Sequence, residues 1–95
     1  MAVTILIKRK ITENNAAELD SLLRRLRSLT VNEKGYISGE TLRRVDENGE
    51  SLVISSWQTL DAWRMWTENE ERIELQNEID LLIGKPTQYE VYENV

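Results

Sequence analysis

The sequence of 95 residues predicts a single α+β domain, in which helices cover one face of a four-stranded antiparallel sheet. Alternating apolar and polar residues predict short strands near both ends of the chain and in its middle. Two stretches with apolar residues three and four positions apart predict amphipathic helices between those strands. The pair Asn48-Gly49, a strong hairpin signal, separates the two middle strands and makes them antiparallel neighbours.

The first strand and the first helix are predicted within residues 2–30. The strand covers residues 2–10, with alternating apolar side chains at Val3, Ile5 and Ile7. Thr12 is the predicted N-cap of the helix, which continues to about Thr30. The apolar face of this helix is formed by Ala16, Leu19, Leu22, Leu23, Leu26 and Leu29.

A β-hairpin is predicted in the middle of the chain. Residues 36–45 alternate weakly as a second strand, after a loop that ends at Gly35. The third strand follows the turn at Asn48-Gly49 and ends at Trp57. Its apolar residues are Leu52, Val53 and Ile54.

The second helical region begins after Thr59, a predicted N-cap, and carries on one face Leu60, Trp63 and Trp66. Asn69 offers a second cap, so we expect this region to bend there and to continue to Gly84. A glycine at that position favours termination, and Pro86 prevents the helix from continuing. The last strand is predicted over residues 87–93.

This order of elements, βαββαβ, is that of the ferredoxin-like fold, in which both helical regions cover the same face of the sheet. The other face would be bare, and a sheet with one hydrated face alternates strictly between apolar and polar residues. These strands instead carry apolar residues at both odd and even positions, which point to opposite faces of the sheet. The pairs are Ile5 and Leu6, Ile37 and Leu42, Val53 and Ile54, and Tyr89 and Tyr92. We therefore expect a homodimer with its sheets face to face; the alternative is a monomer whose exposed sheet face binds a ligand.

The composition excludes several functional classes. The chain has no cysteine and no histidine, which removes thiolate chemistry, the commonest metal ligand and the commonest general base near neutral pH. The net charge of −5 opposes binding to nucleic acid, and the basic cluster Arg24-Arg25-Leu26-Arg27 is expected to be a solvated helix face. No apolar run is long enough to cross a bilayer, and the first residues lack a basic leader, so a cytoplasmic protein is expected.

The acidic run Glu68-Asn-Glu-Glu71 is expected to stabilise a helix N-terminus rather than to bind a metal ion. Asp46, Glu47 and Glu50 flank the predicted turn without the spacing of a calcium loop. We therefore expect no metal and no other cofactor.

Four segments together resemble the antibiotic-biosynthesis monooxygenase family: Gly35-Tyr-Ile-Ser-Gly-Glu-Thr-Leu-Arg43, Val53-Ile-Ser-Ser-Trp57, Ala62-Trp63 and Glu90-Val-Tyr92. The resemblance covers nearly the whole chain and implies a dimeric α/β barrel, in agreement with the apolar pattern of the strands. It leaves the chemistry open. The wider superfamily includes quinol-forming oxygenases that use no metal or flavin, haem-degrading enzymes and domains without demonstrated activity.

Comparison with the haem-degrading branch implies that its tryptophan falls on Trp66, its histidine near Gln76 and its strand asparagine near Lys8. Glutamine is a poor axial ligand for haem iron. Haem degradation is therefore not expected.

The cofactor-free branch implies an oxygenase of small aromatic or polyketide-like phenols or quinols, because such a substrate supplies the reducing power itself. The catalytic candidates are Trp66, Lys8 and Gln76. Trp66 would line the pocket and donate its indole N–H, Lys8 would stabilise a phenolate if it points inward, and Gln76 would orient an oxygen atom. Tyr36 and Trp63 are the candidate substrate contacts.

Each candidate also has a purely structural interpretation. Trp63 lies three residues after Leu60 and suits core packing, Lys8 suits a solvated strand end, and Gln76 suits a helix surface. Two other functions stay open at this point. One is a non-catalytic dimer that binds a small molecule, and the other is a dimerisation module with no ligand.

Overall fold

A computed structural model describes residues 1–95 and shows a four-stranded sheet with all its helices on one side. One 3₁₀ turn, at Glu13–Asn15, precedes the first helix. The elements, in chain order, are β1 (Val3–Lys10), α1 (Ala16–Thr30), β2 (Tyr36–Arg43), β3 (Glu50–Trp57), α2 (Leu60–Thr67), α3 (Glu70–Ile83) and β4 (Gln88–Glu93).

The sheet has the strand order β2-β3-β1-β4, and every neighbouring pair is antiparallel. This is the predicted ferredoxin-like α+β fold. The central pair places Val3 opposite Trp57 and Lys10 opposite Glu50 in continuous register. Because side chains alternate along a strand, this register divides the sheet into two faces with different compositions.

The inner face of the sheet, toward the helices, carries a ladder of apolar and polar side chains. On β1 it presents Val3, Ile5 and Ile7 and then Arg9, all of them buried or half-buried. The helices cover this face with two packed groups. One unites Val3, Ile5, Trp57, Trp63 and Trp66, and the other joins α1 to α3 through Leu19, Ile79 and Ile83.

The outer face of the sheet is open to solvent in the isolated chain. The register places Leu6 beside Ile54 and sets Leu52 between Lys8 and Leu42 on this face. Leu42 and Tyr92 keep 40% and 50% of their surface exposed. An uncovered apolar strip therefore runs across the outer face of the sheet. The apolar residues at both odd and even strand positions predicted such a strip.

Helix ends follow the predicted capping residues except at the first helix. The side chains of Thr59 and Asn69 accept hydrogen bonds from backbone N–H groups of α2 and α3, and Gly84 ends α3 with a φ of 74°. Thr12 makes no capping hydrogen bond, because the chain first forms the 3₁₀ turn and α1 begins only at Ala16. No helix has the length and apolar character that a membrane span requires.

The predicted second strand is shorter than expected and stops at Arg43. Arg44 instead forms ion pairs with Asp46, Glu47 and Glu50 around the turn. Glu50 also pairs with Lys10, and the cations Lys10 and Arg44 together lower the pKa of Glu50 to about 2. The charged residues flanking the turn therefore bind one another.

Candidate functional site

A cavity of about 300 Å³ lies between the inner face of the sheet and the helices. Its floor comes from β1, β2, β3 and β4, and its walls come from the C-terminal part of α1, from α2 and from α3. This volume is at the lower end of the range for sites that bind small organic molecules. It therefore suits a ligand of one to three rings better than a larger polycycle.

One side of the cavity is aromatic. Trp57 is fully buried at the centre of this wall, with its ring centroid 5.4 Å from that of Tyr36, 5.7 Å from Trp63 and 6.3 Å from Trp66. Tyr36, Trp63 and Trp66 line the cavity themselves. Of the three indole N–H groups, only that of Trp57 donates to a protein acceptor, Ser55 Oγ at 2.9 Å. The N–H of Trp66 thus has no acceptor within the protein.

Gly39 on β2 makes room for the Tyr36 hydroxyl in this wall. A Cβ atom at residue 39 would lie 2.7 Å from that oxygen, and Gly39 itself lines the cavity. A side chain at residue 39 would therefore displace the phenol group of Tyr36 from its position in the wall.

The opposite side of the cavity is polar and is held by a buried hydrogen-bond network centred on Gln76. Arg9 Nη2 donates to Gln76 Oε1 at 3.2 Å, and Gln76 Nε2 donates to Asp80 at 2.8 Å and to Thr87 at 2.7 Å. Asp80 also accepts from the backbone N–H and the hydroxyl of Thr87. Each partner fixes its neighbour, so the Gln76 amide is oriented rather than free to rotate.

Arg72 on α3 connects the aromatic side to the polar side. Its Nη2 donates to the Tyr89 hydroxyl at 2.8 Å, and its guanidinium carbon lies 5.8 Å and 6.0 Å from the ring centroids of Trp63 and Trp66. Only 8% of Arg72 is exposed. A planar cation packed on aromatic rings is well suited to bind an oxyanion on a flat ligand.

The three arginines that line the cavity, Arg9, Arg27 and Arg72, form no ion pair with any carboxylate. Burial lowers the pKa of Arg9, although the Tyr89 hydroxyl and the Asp80 carboxylate partly offset this effect. Burial likewise raises the pKa of Tyr89, so its phenol is neutral at neutral pH. Asp80 is the one acid in the network, which leaves the cavity with an excess of positive charge.

Four of the five predicted site residues line the same cavity: Trp66, Gln76, Tyr36 and Trp63. Trp63 belongs both to the core and to the cavity wall, so its two interpretations are compatible. Gln76 is 7% exposed and is therefore not a helix-surface residue. Their roles in catalysis or binding stay predictions.

Lys8 does not lie with the other four. It is on the outer face of the sheet, where its ammonium group pairs with Glu90 at 3.2 Å and half of its side chain is exposed. The condition that Lys8 points inward is not met, because β1 alternates without interruption from Val3 to Arg9. The inward cation on this strand is its neighbour, Arg9.

The sequence interpretation missed Arg9, Arg72 and Tyr89. Arg9 alternates in step with Ile5 and Ile7, which places it on the buried face of the strand. Arg72 precedes Gln76 by one helical turn, which places both residues on the same face of the helix. These signals are weak alone, since arginine is seldom buried unless it has a partner.

A second, wider cleft of about 780 Å³ lies at the end of the sheet and is bordered mostly by cationic and polar side chains. Arg9 and Ser51 border both this cleft and the cavity. No three side chains of the His, Cys, Asp or Glu type are grouped so that they could hold a metal ion.

Residues 2–78 match the family model described as antibiotic biosynthesis monooxygenase. The chain belongs to this family. The match ends inside α3, so Asp80, Thr87 and Tyr89 of the cavity region lie beyond it. No curated protein matches the sequence.

Solved structures of the same fold come from several organisms. A conserved protein of Methanosarcina mazei Go1 is 15% identical with a TM-score of 0.91, over 100% of this chain and 94% of that one. Rv0793 from Mycobacterium tuberculosis is 16% identical with a TM-score of 0.87, over 100% and 96%. SnoaB, a cofactor-independent oxygenase from Streptomyces nogalater, is 17% identical with a TM-score of 0.85, over 99% and 93%. At these identities the likeness shows the fold alone.

Proposed function

We propose that this protein is a cofactor-independent monooxygenase that oxidises a small phenol or quinol in the cavity between the sheet and the helices. The observation that carries the proposal is the position of Arg72, a buried cation against Trp63 and Trp66 in a cavity sized for an aromatic ring. Membership of the monooxygenase family supports it, as does the cofactor-independent activity of SnoaB, which has the same fold.

The proposed reaction converts a ring CH₂ group of an anthrone-type substrate, or the equivalent carbon of a quinol, into a carbonyl. Loss of the phenolic proton gives an electron-rich anion whose ring carbon bonds to dioxygen and, after protonation, carries a hydroperoxide. The O–O bond then breaks as that carbon loses its remaining hydrogen, and water leaves. One oxygen atom stays in the product, the other becomes water, and the substrate supplies all the electrons.

The residues of the cavity suit this chemistry without a strong base. A cation close to a bound phenol favours the phenolate and lowers the pKa of that phenol by about 1–3 units. Arg72 supplies such a cation, so the proton can pass to solvent rather than to a histidine. Trp63 and Trp66 would hold the ring. Both N–H donors of Gln76 are used by Asp80 and Thr87, so its amide would orient the substrate by accepting from a substrate hydroxyl at Oε1.

Oxygen uptake by chelator-treated protein with an anthrone or hydroquinone substrate tests the proposal. We expect saturable uptake above the spontaneous rate, reduced about tenfold or more in kcat by Trp66→Phe, which removes the free indole N–H but keeps a ring. Met65→Leu, at a side chain that is 73% exposed on the same helix, is the matched control and should retain full activity. Uptake that does not saturate, or that Trp66→Phe leaves unchanged, contradicts the proposal.

A second candidate function, binding without turnover, is favoured by one observation. The groups that line the cavity include no histidine and no carboxylate that could accept a proton directly. In that case the same cavity would hold an aromatic metabolite, and Trp66→Phe would weaken binding with no turnover to lose.

We also propose that the active form is a homodimer in which the outer sheet faces cover each other. The apolar strip formed by Leu6, Leu42, Leu52 and Ile54 supports this, since it lies across the centre of an open sheet. Light scattering after size-exclusion chromatography should give twice the chain mass of 11.1 kDa. Leu52→Glu should give the monomer, because it places a charge at the centre of the strip, whereas Leu81→Glu on an exposed face of α3 should not. A monomeric wild-type protein contradicts this assembly.

A further inference from the structure

We infer that the ligand of this cavity carries a carboxylate, or a planar oxyanion of similar shape, and that Arg9 binds it. This inference rests on the proposed function only in taking the cavity as the ligand site. It adds a class of substrate, an aromatic acid, and a residue that selects for it.

Arg9 has more hydrogen-bonding capacity than the protein uses. A guanidinium group has five N–H donors, and Arg9 spends one of them, from Nη2 to Gln76. Only 6% of Arg9 is exposed. Its Nε is out of contact with solvent and has no hydrogen-bond partner. Buried donors without partners are costly, so the fold retains beside the cavity a guanidinium group with unused hydrogen-bonding capacity.

No group of the protein neutralises Arg9 by direct contact. Its one hydrogen-bond acceptor is the neutral amide of Gln76, and the Asp80 carboxylate lies behind that amide, where it also accepts from Thr87. Arg72 adds a second positive charge that further lowers the pKa of Arg9, and Tyr89 is held neutral by burial. A buried cation in this environment favours an anion from outside.

Ser51 completes a site for a carboxylate. It is the cross-strand neighbour of Arg9 on the inner face, is 8% exposed and lines the same cavity. Its hydroxyl would give a donor beside the guanidinium fork, which matches a carboxylate with two oxygens. Arg9 and Ser51 also border the wide basic cleft, so the anionic end of the ligand would lie where the two spaces meet.

The two ends of the cavity are far enough apart for separate roles. Ser51 and Ser55 both line it and lie four residues apart on β3, which corresponds to about 13 Å along a strand. A two-ring acid can therefore place its carboxylate at Arg9 and its rings toward Trp63 and Trp66. The phenolic oxygen, at the far end of the rings from the carboxylate, would lie near Arg72.

Calorimetric binding of a matched pair of probes tests the inference without any turnover. 6-Hydroxy-2-naphthoate and 2-naphthol have the same rings and a phenol, and differ in the carboxylate. We expect the wild-type protein to bind the acid about tenfold or more tightly than the neutral phenol, as a charge-assisted hydrogen bond predicts. Arg9→Met should abolish this preference, so that the acid and the neutral phenol bind with equal affinity.

Lys8→Met is the matched control, because it removes the same charge from the adjacent residue on the opposite face. It should keep the preference for the acid. We expect Arg9→Met to fold, since it removes a buried cation without an ion pair; Arg9→Gln, which keeps a polar partner for Gln76, gives the same test if the methionine variant does not fold.

Two results would overturn the inference: equal affinities of the wild-type protein for the two probes, or a preference that Lys8→Met reduces as much as the Arg9 variants. Neither result would bear on oxygen uptake with neutral substrates. Conversely, a protein that prefers the acid but consumes no oxygen would contradict the proposed oxygenation and leave the carboxylate site in place.

Discussion

Arg72→Met is expected to lower kcat for oxidation of a phenol substrate by about a hundredfold or more, the usual effect of removing a group that stabilises a developing oxyanion. The guanidinium of Arg72 lies against two tryptophans and donates to Tyr89, in a site where little water screens its charge. Methionine keeps most of the side-chain volume and removes only the charge and the donors. Steady-state oxygen uptake, with substrate saturation, measures kcat and KM separately.

Arg64→Met is the control for this experiment. Arg64 lies on the exposed side of α2, where its guanidinium is 4.0 Å from the Asp61 carboxylate. Its replacement should change neither kcat nor KM. A kcat within twofold of the wild-type value in Arg72→Met protein of normal thermal stability would show that Arg72 does not stabilise the reacting anion.

Trp57→Ala is expected to cause the largest loss of stability, about 3–5 kcal/mol in the free energy of unfolding. Trp57 has no exposed surface, and its ring contacts Tyr36, Trp63 and Trp66 in one group. Alanine would leave a void where the sheet meets α2. For a chain of this length the melting temperature should fall on the order of 20 °C.

Thermal and urea unfolding at one fixed protein concentration measure this effect, since a dimer would make the melting temperature depend on concentration. Met65→Ala, on the solvent side of α2, should lower the melting temperature by only a few degrees. A loss below about 1 kcal/mol in Trp57→Ala would mean that the aromatic group does not hold the cavity wall.

The fold could be predicted from the sequence because local signals agreed with one another. The glycine at residue 84 and the caps at Thr59 and Asn69 fixed the ends of α2 and α3, and Asn48-Gly49 fixed the hairpin. Thr12 shows the limit of such signals. A threonine before a helical stretch is a good cap, but here a 3₁₀ turn displaced the helix start by three residues.

The site was harder to predict, because the sequence pattern does not show which polar residues are buried. Lys8 and Arg9 are adjacent cations, and only the strand register decides which one faces the cavity. Gln76 is buried because Arg9, Asp80 and Thr87 satisfy its amide, and Thr87 comes from a segment eleven residues away in sequence. A hydrogen-bond network of this kind depends on tertiary contacts that periodicity along one helix cannot show.

The most direct test of the central claim is oxygen-atom transfer from isotopically heavy dioxygen by chelator-treated protein, with an anthrone as substrate and mass analysis of the quinone. We expect one heavy oxygen atom in each product molecule, formed at a saturable rate that Arg72→Met lowers about a hundredfold. Product that carries no heavy oxygen, or that forms equally fast with both proteins, would contradict oxygenation in this cavity.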